Sequence, residues 1–169
     1  MWKKIIIGIA VLAVVFFLFA TWYKFHYSMD IAKSFEVNTP DLKHRVLIAT
    51  QGSDFKDAMV TGLVDHLKQR QTYIKVIDVS ALPQVNEDDW QVIVLIHTWE
   101  YRKPQADAKA YIERAKDLNK LIVLTTSGRG DFKMEGINAI TSASVMSDIP
   151  AIVSDINKRI DSILNGESK

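Results

Sequence analysis

The chain has 169 residues, enough for one ordinary domain with an extension and too few for two full-sized domains. Hydrophobic residues make up 48% and charged residues 24%, so neither wholesale disorder nor a fibrous repeat is expected. Lys and Arg number 21 against 20 Asp and Glu, and there is no cysteine. Near-neutrality speaks against a nucleic-acid partner, and the missing thiols exclude disulfides, thiolate metal sites and iron–sulfur clusters.

The apolar residues are concentrated at the front. Ile5 to Tyr23 carries no charge, and at 1.5 Å per residue a helix over that run is roughly 28 Å long, about the hydrocarbon thickness of a bilayer. Trp2 before the run and Trp22, Tyr23 and Tyr27 at its far end match an aromatic belt at both interfaces. A cleaved signal peptide shares the basic start, Lys3 and Lys4, but would end in small residues. Here the end is Phe16, Phe17, Leu18 and Phe19, which favours an uncleaved single-pass anchor in the bilayer through residues 5–23. The amino terminus with Lys3 and Lys4 is offset by Lys24 and Lys33, leaving a modest preference for a soluble domain on the non-cytoplasmic side. The expected division is an anchor over 1–27, a tether over 28–43 and an α/β domain over 44–169.

Beyond the tether, strand-like and helix-like periods alternate. Arg45 to Thr50 is a continuous apolar run, as in a strand buried on both faces. Gly52, Ser53 and Asp54 start a helix to Arg70, whose stripe holds Phe55, Met59, Val60, Leu63, Val64 and Leu67. Tyr73 to Val79 is a second strand, and an acidic loop with Glu87, Asp88 and Asp89 leads to the third, Gln91 to His97. Ala106 to Leu118 is a helix burying Ala108, Tyr111, Ile112 and Ala115. Lys120 to Thr125 is the fourth strand and Asn138 to Ala143 a short fifth, before a helix through Ile149, Ile152, Val153, Ile156, Ile160 and Ile163.

This alternation implies a parallel sheet covered on both faces with right-handed crossovers. The connections between the second and third and between the fourth and fifth strands are too short for full helices, so the layers are expected to be thin there. Ligands of such sheets bind beyond the carboxyl ends of the strands, where strand order reverses. Three segments should meet there: Thr50 to Asp54, Thr98 to Arg102 and Thr126 to Asp131.

At these residues the chain resembles the flavodoxin-like family, over roughly Arg45 to Leu164. The resemblance implies a parallel sheet of order 2-1-3-4-5, flavin mononucleotide (FMN) as cofactor and electron transfer as activity. Gly128 to Asp131 looks like the G-x-G-D after the fourth strand of flavodoxins, and Trp99 and Tyr101 fall where a ring-stacking aromatic is expected. The cofactor-binding positions implied are Thr50, Gln51, Gly52 and Ser53, then Thr98, Trp99 and Tyr101, then Thr126, Ser127, Gly128, Gly130 and Asp131.

The family's phosphate loop reads T-x-T-G-x-T. Aligned on Gly52, its hydroxyl positions hold Ala49, Gln51 and Asp54. Asp54 and Asp57 put negative charge in the first helical turn, where a like-charge contact at about 4 Å costs on the order of 1–4 kcal/mol. A helix cap is the competing reading of this loop, and packing or a partner contact that of Trp99 and Tyr101. The competing reading of the whole chain is a cofactor-free interaction or assembly module tethered to the membrane; a small flavin-dependent reductase is a third. Asn138 to Ser144 also looks like the motif at which FMN is covalently attached in extracytoplasmic FMN-binding domains, with Ser144 as the attachment hydroxyl; a strand end followed by helix caps explains the same residues. His26, His44, His66 and His97 have no metal-ligand spacing, and Arg129, Gly130 and Asp131 match a cell-adhesion tripeptide that recurs by chance.

Overall fold

The computed structural model describes residues 2–27, with side chains to residue 23, and residues 29–166. Ser28 of the tether, and the side chains of Lys24, His26 and Tyr27, lie outside the described residues. The chain divides into two units, Met1–Asp30 and Ile31–Lys169.

The first unit is helix α1, Trp2–Tyr27. An 18-residue window within its Trp2–Tyr23 stretch has a mean hydropathy of 2.8, and none of that window is buried within the protein. Every described side chain on it is exposed, so apolar groups face outward all round the helix rather than along one stripe. The hydroxyl of Thr21 donates to the Phe17 carbonyl at 2.7 Å, which satisfies a polar group inside the helix itself. The helix is long and apolar enough to cross a membrane.

In the second unit the strands are β1 (Phe35–Val37), β2 (His44–Thr50), β3 (Thr72–Asp78), β4 (Val92–Glu100), β5 (Lys103–Pro104), β6 (Leu121–Thr126) and β7 (Ile140–Ser142). The helices are α2 (Asp54–Leu67), α3 (Ala106–Arg114) and α4 (Ile149–Leu164). The sheet runs β1-β3-β2-β4-β6-β7, with β5 paired to β4. Leaving out the antiparallel additions β1 and β5, the five parallel strands stand in the order 2-1-3-4-5, as the resemblance implied. β1 lies within the segment expected to be tether and covers the free edge of β3, with Phe35 opposite Val76 and Val37 opposite Ile74.

The central strand β4 shows why the sheet is double-faced. Val92, Val94 and Ile96 pack on one side with Met59, Leu63 and Ile156 of α2 and α4. Ile93 and Leu95 pack on the other with Leu47, Leu82 and Tyr111. Each such side chain contributes about 1.5–3 kcal/mol on burial. Gly62 lets α2 and α4 approach: a Cβ there would stand 3.0 Å from Cγ2 of Val153.

The thin places fall where the short connections were read. In place of a crossover helix after β3 there is only a 3-10 turn, Val79–Gln84, and a cavity of about 310 Å³ opens between it and Leu47, Ile77 and Trp90. Arg114 ties this connection down by donating to the carbonyls of Leu82 and Val85 at 2.7 and 3.1 Å. The expected helix from Ala106 ends at Arg114, because Ala115 is already extended, with ψ 132.

Candidate functional site

Strand order reverses between β2 and β4, and the loops after β2, β4 and β6 are joined there by hydrogen bonds. The Gln51 side chain crosses from the first loop to accept the Thr98 N–H through Oε1 at 2.8 Å. Lys56, one turn into α2, donates from Nζ to the Thr98 hydroxyl at 2.7 Å. The Thr98 and Thr126 hydroxyls are 3.0 Å apart, and Thr126 donates to the His97 carbonyl at 3.4 Å. These contacts set one direction of donation, from Lys56 through Thr98 to Thr126 and on to the strand carbonyl.

Lys56 is 1% exposed. Burial pushes its amine down to about 8, against the opposing pull of the Glu100 and Asp57 carboxylates. His97, 0% exposed, is pushed down to about 4 chiefly by burial, opposed by the Thr98 backbone carbonyl, which favours a ring N–H, and helped by the nearby Lys56 charge. Its Nε2 lies 3.3 Å from the Thr125 hydroxyl. A buried ammonium beside a neutral imidazole gives this end of the sheet one concealed positive charge.

The first loop is closed on itself. Thr50 is buried and its hydroxyl donates to the Gln51 carbonyl at 3.0 Å; Gly52 is buried. Ser53 is the N-cap of α2, its hydroxyl oxygen accepting the Lys56 N–H at 3.3 Å, while Asp54 and Asp57 occupy the first turn with exposed side chains.

The aromatic part of the site is built from two loops. Trp99, at the end of β4, stacks on Phe132, with ring centroids 5.3 Å apart and planes 12° from parallel. The Arg129 guanidinium covers Phe132 at 4.9 Å from its ring centre and pairs with Asp131 at 3.1 Å. The indole Nε1 of Trp99 is buried with no hydrogen-bond partner, an arrangement that costs about 1–3 kcal/mol unless a bound group supplies an acceptor. Tyr101 does not join this stack. With Arg102 it forms the two-residue turn of the β4–β5 hairpin, at φ 51 and 61, and its ring is 86% exposed. Positive φ at both central positions is the type I′ pattern, which Asn and Gly usually fill.

The glycine-containing loop owes its sequence to packing. Ser127 donates its N–H to the Ser142 carbonyl at 3.0 Å and accepts the Gly130 N–H on its hydroxyl at 2.9 Å. Gly130 sits at φ +72, where a Cβ would be 2.6 Å from the Ala143 nitrogen; a Cβ on Gly128 would meet nothing within 4 Å. Ser144 is exposed, at φ 60.

The switch point between the first and third strands of a 2-1-3-4-5 sheet is where flavodoxin-like proteins hold their ligand. Here it lies between β2 and β4. The α/β unit has a flavodoxin-like fold. No family model and no curated protein matches the chain. Among solved structures it is similar to a flavodoxin from the domain Archaea, at 11% identity and a TM-score of 0.45, over 69% of this chain and 99% of that one. It is also similar to a mutant flavo di-iron protein from Thermotoga maritima, at 13% identity and a TM-score of 0.46, over 73% of this chain and 37% of that one. The strand order, rather than these distant likenesses, defines the fold.

Phe132, Lys56 and Arg129 belong to this region and were not among the positions read from sequence. Lys56 had a signal: it lies three, four and seven residues before Met59, Val60 and Leu63, on the buried stripe of an amphipathic helix. Phe132 directly follows the Gly128 to Asp131 loop, which marks it as an aromatic at the sheet's carboxyl end.

Proposed function

We propose that this chain is a membrane-tethered flavodoxin-like module that binds a flavin, the ring taken up by Trp99 and Phe132, and serves electron transfer. The observation that carries the reading is the Trp99–Phe132 stack at the switch point, with a buried indole N–H facing no acceptor. Two near-parallel aromatic faces from different loops form a platform for a planar ring, and the unpaired donor offers a hydrogen bond to a ring carbonyl or nitrogen. A ring between them needs contacts of about 3.5 Å on each side, so the two side chains part on binding. The residues fit the isoalloxazine ring and do not fit the phosphate of FMN. A bound flavin would supply one- and two-electron redox chemistry, while the chain's part is to hold the ring and keep water from it.

The apolar α1 helix supports attachment to a bilayer through residues 5–23, and the amino terminus with Lys3 and Lys4, set against Lys24 and Lys33, is the ground for proposing the α/β unit on the non-cytoplasmic side. Protease digestion of intact cells tests that orientation: protection of the α/β unit would overturn it.

A second reading has its own support. Trp99 and Phe132 already cover one another's faces, and Tyr101 presents a bare ring at a hairpin tip, as in a protein-binding module without cofactor. The full-length chain, purified in detergent with flavin supplied, separates the two. Flavin absorbance retained through dialysis, and lost in Trp99→Ala, is the expected result. A colourless protein that retains no flavin would overturn the flavin reading.

A further inference from the structure

Resting on the flavin reading above, we infer that the site recognises the flavin ring and not a phosphate, so that riboflavin binds at least as tightly as FMN. Three features of the loop after β2 carry this. One of its hydroxyls is committed elsewhere, since Thr50 is buried and donates to the Gln51 carbonyl, and the Ser53 oxygen is held at the α2 cap by accepting the Lys56 N–H. The Gln51 side chain, at a position where the family's loop carries a hydroxyl, reaches away to the Thr98 backbone. Finally, Asp54 and Asp57 occupy the first turn of α2 and stay exposed, so an anion approaching that helix end meets two carboxylates beside its backbone donors.

The nearest cation does not reverse this. The Lys56 ammonium is almost fully buried, donates to the Thr98 hydroxyl, and shares its field with Asp57 and Glu100. The ring half offers two aromatic faces that part to take a ring, while the loop after β2 offers a phosphate two carboxylates at its helix end. A neutral ribityl chain can lie across such a surface, whereas a phosphate carrying about 1.5 to 2 negative charges is repelled.

The test is a pair of titrations of the full-length chain in detergent, with riboflavin and with FMN, followed by flavin fluorescence quenching. Riboflavin is expected to bind as tightly as FMN or more tightly. The double variant Asp54→Asn with Asp57→Asn, its fold checked by circular dichroism, is expected to strengthen FMN binding several-fold and to leave riboflavin unchanged. FMN binding about tenfold or more tightly than riboflavin, a difference of about 1.4 kcal/mol, would overturn the inference and leave the flavin reading standing. An unchanged FMN affinity in the double variant would also overturn it. Failure of both flavins to bind would remove the flavin reading and this inference together.

Discussion

Trp99 and Phe132 lie face to face, their ring centroids 5.3 Å apart and their planes within 12° of parallel. Trp99 is at the end of β4 and Phe132 in the loop that follows β6, two adjacent parallel strands whose register sets Thr98 beside Thr126. The stack lies at the carboxyl end of the sheet, where the first loop also arrives through the Gln51 to Thr98 hydrogen bond. Stacked pairs of this kind contribute about 0.5–1.5 kcal/mol beyond their burial. Phe132→Ala should therefore destabilise the unit modestly, by about 1–2 kcal/mol including the lost partly buried area, as read by urea denaturation.

Lys56 gives the stability of the α/β unit a distinctive alkaline dependence. Its folded pKa is depressed to about 8, below the unfolded value of about 10.4. Below the folded pKa the amine is charged in both states and the burial cost is fully present. Between the two values the unfolded chain binds more protons than the folded one, so stability rises with pH. The rise across that window is roughly 3 kcal/mol at 1.36 kcal/mol per pKa unit. Tyr111, pushed up to about 12 mainly by burial, opposes this only near and above pH 10, where unfolded tyrosine ionises. Urea denaturation between pH 7.5 and 9.5 should show rising stability in the wild type and a flatter profile in Lys56→Met. Parallel profiles would contradict the buried amine.

The acid side is governed by His97 in the same way. Its folded pKa, about 4, lies below the unfolded value of about 6.5. The stability associated with the neutral imidazole is complete above pH 6.5 and is lost as pH falls towards 4, because the unfolded chain takes up the proton first. His97→Gln should remove the decline between pH 6.5 and 5, a window above most carboxylate titrations. A decline of the same size in the variant would contradict this assignment.

The two glycines of the loop after β6 should behave differently. Gly130→Ala places a Cβ 2.6 Å from the Ala143 nitrogen at φ +72, a strained position expected to cost about 1–3 kcal/mol. Gly128→Ala meets open space and should change stability by less than about 0.5 kcal/mol. Thermal melts of the two variants check the contrast.

The elements carried by sustained patterns were legible in the sequence. β2 and β4 are apolar runs because both faces of the sheet are covered, and α2 and α4 show their stripes because each buries one side. β1 and β5 were not legible: β1 lies in a polar stretch with Ser34, Asn38 and Pro40 that reads as tether, and the two residues of β5 are too few for a period. The hairpin turn at Tyr101 and Arg102 was hidden for another reason: its positive φ values fall on residues that do not advertise a turn. α3 stops before the expected Leu118 because Ala115 turns extended, with Asp117 capping a separate 3-10 turn through the Asn119 N–H. The meeting of the three loops followed from strand order alone. The stack did not, because no spacing rule links Trp99 to Phe132 across two loops.

On the proposed function, the carboxyl edge of the sheet takes a flavin ring between Trp99 and Phe132. The most direct measurement is a riboflavin fluorescence titration of the full-length chain alongside Phe132→Ala. Saturable quenching by the wild-type chain, weakened about tenfold or more in the variant, a loss of about 1.4 kcal/mol, is the result expected. No quenching, or quenching of equal affinity in both proteins, would contradict it.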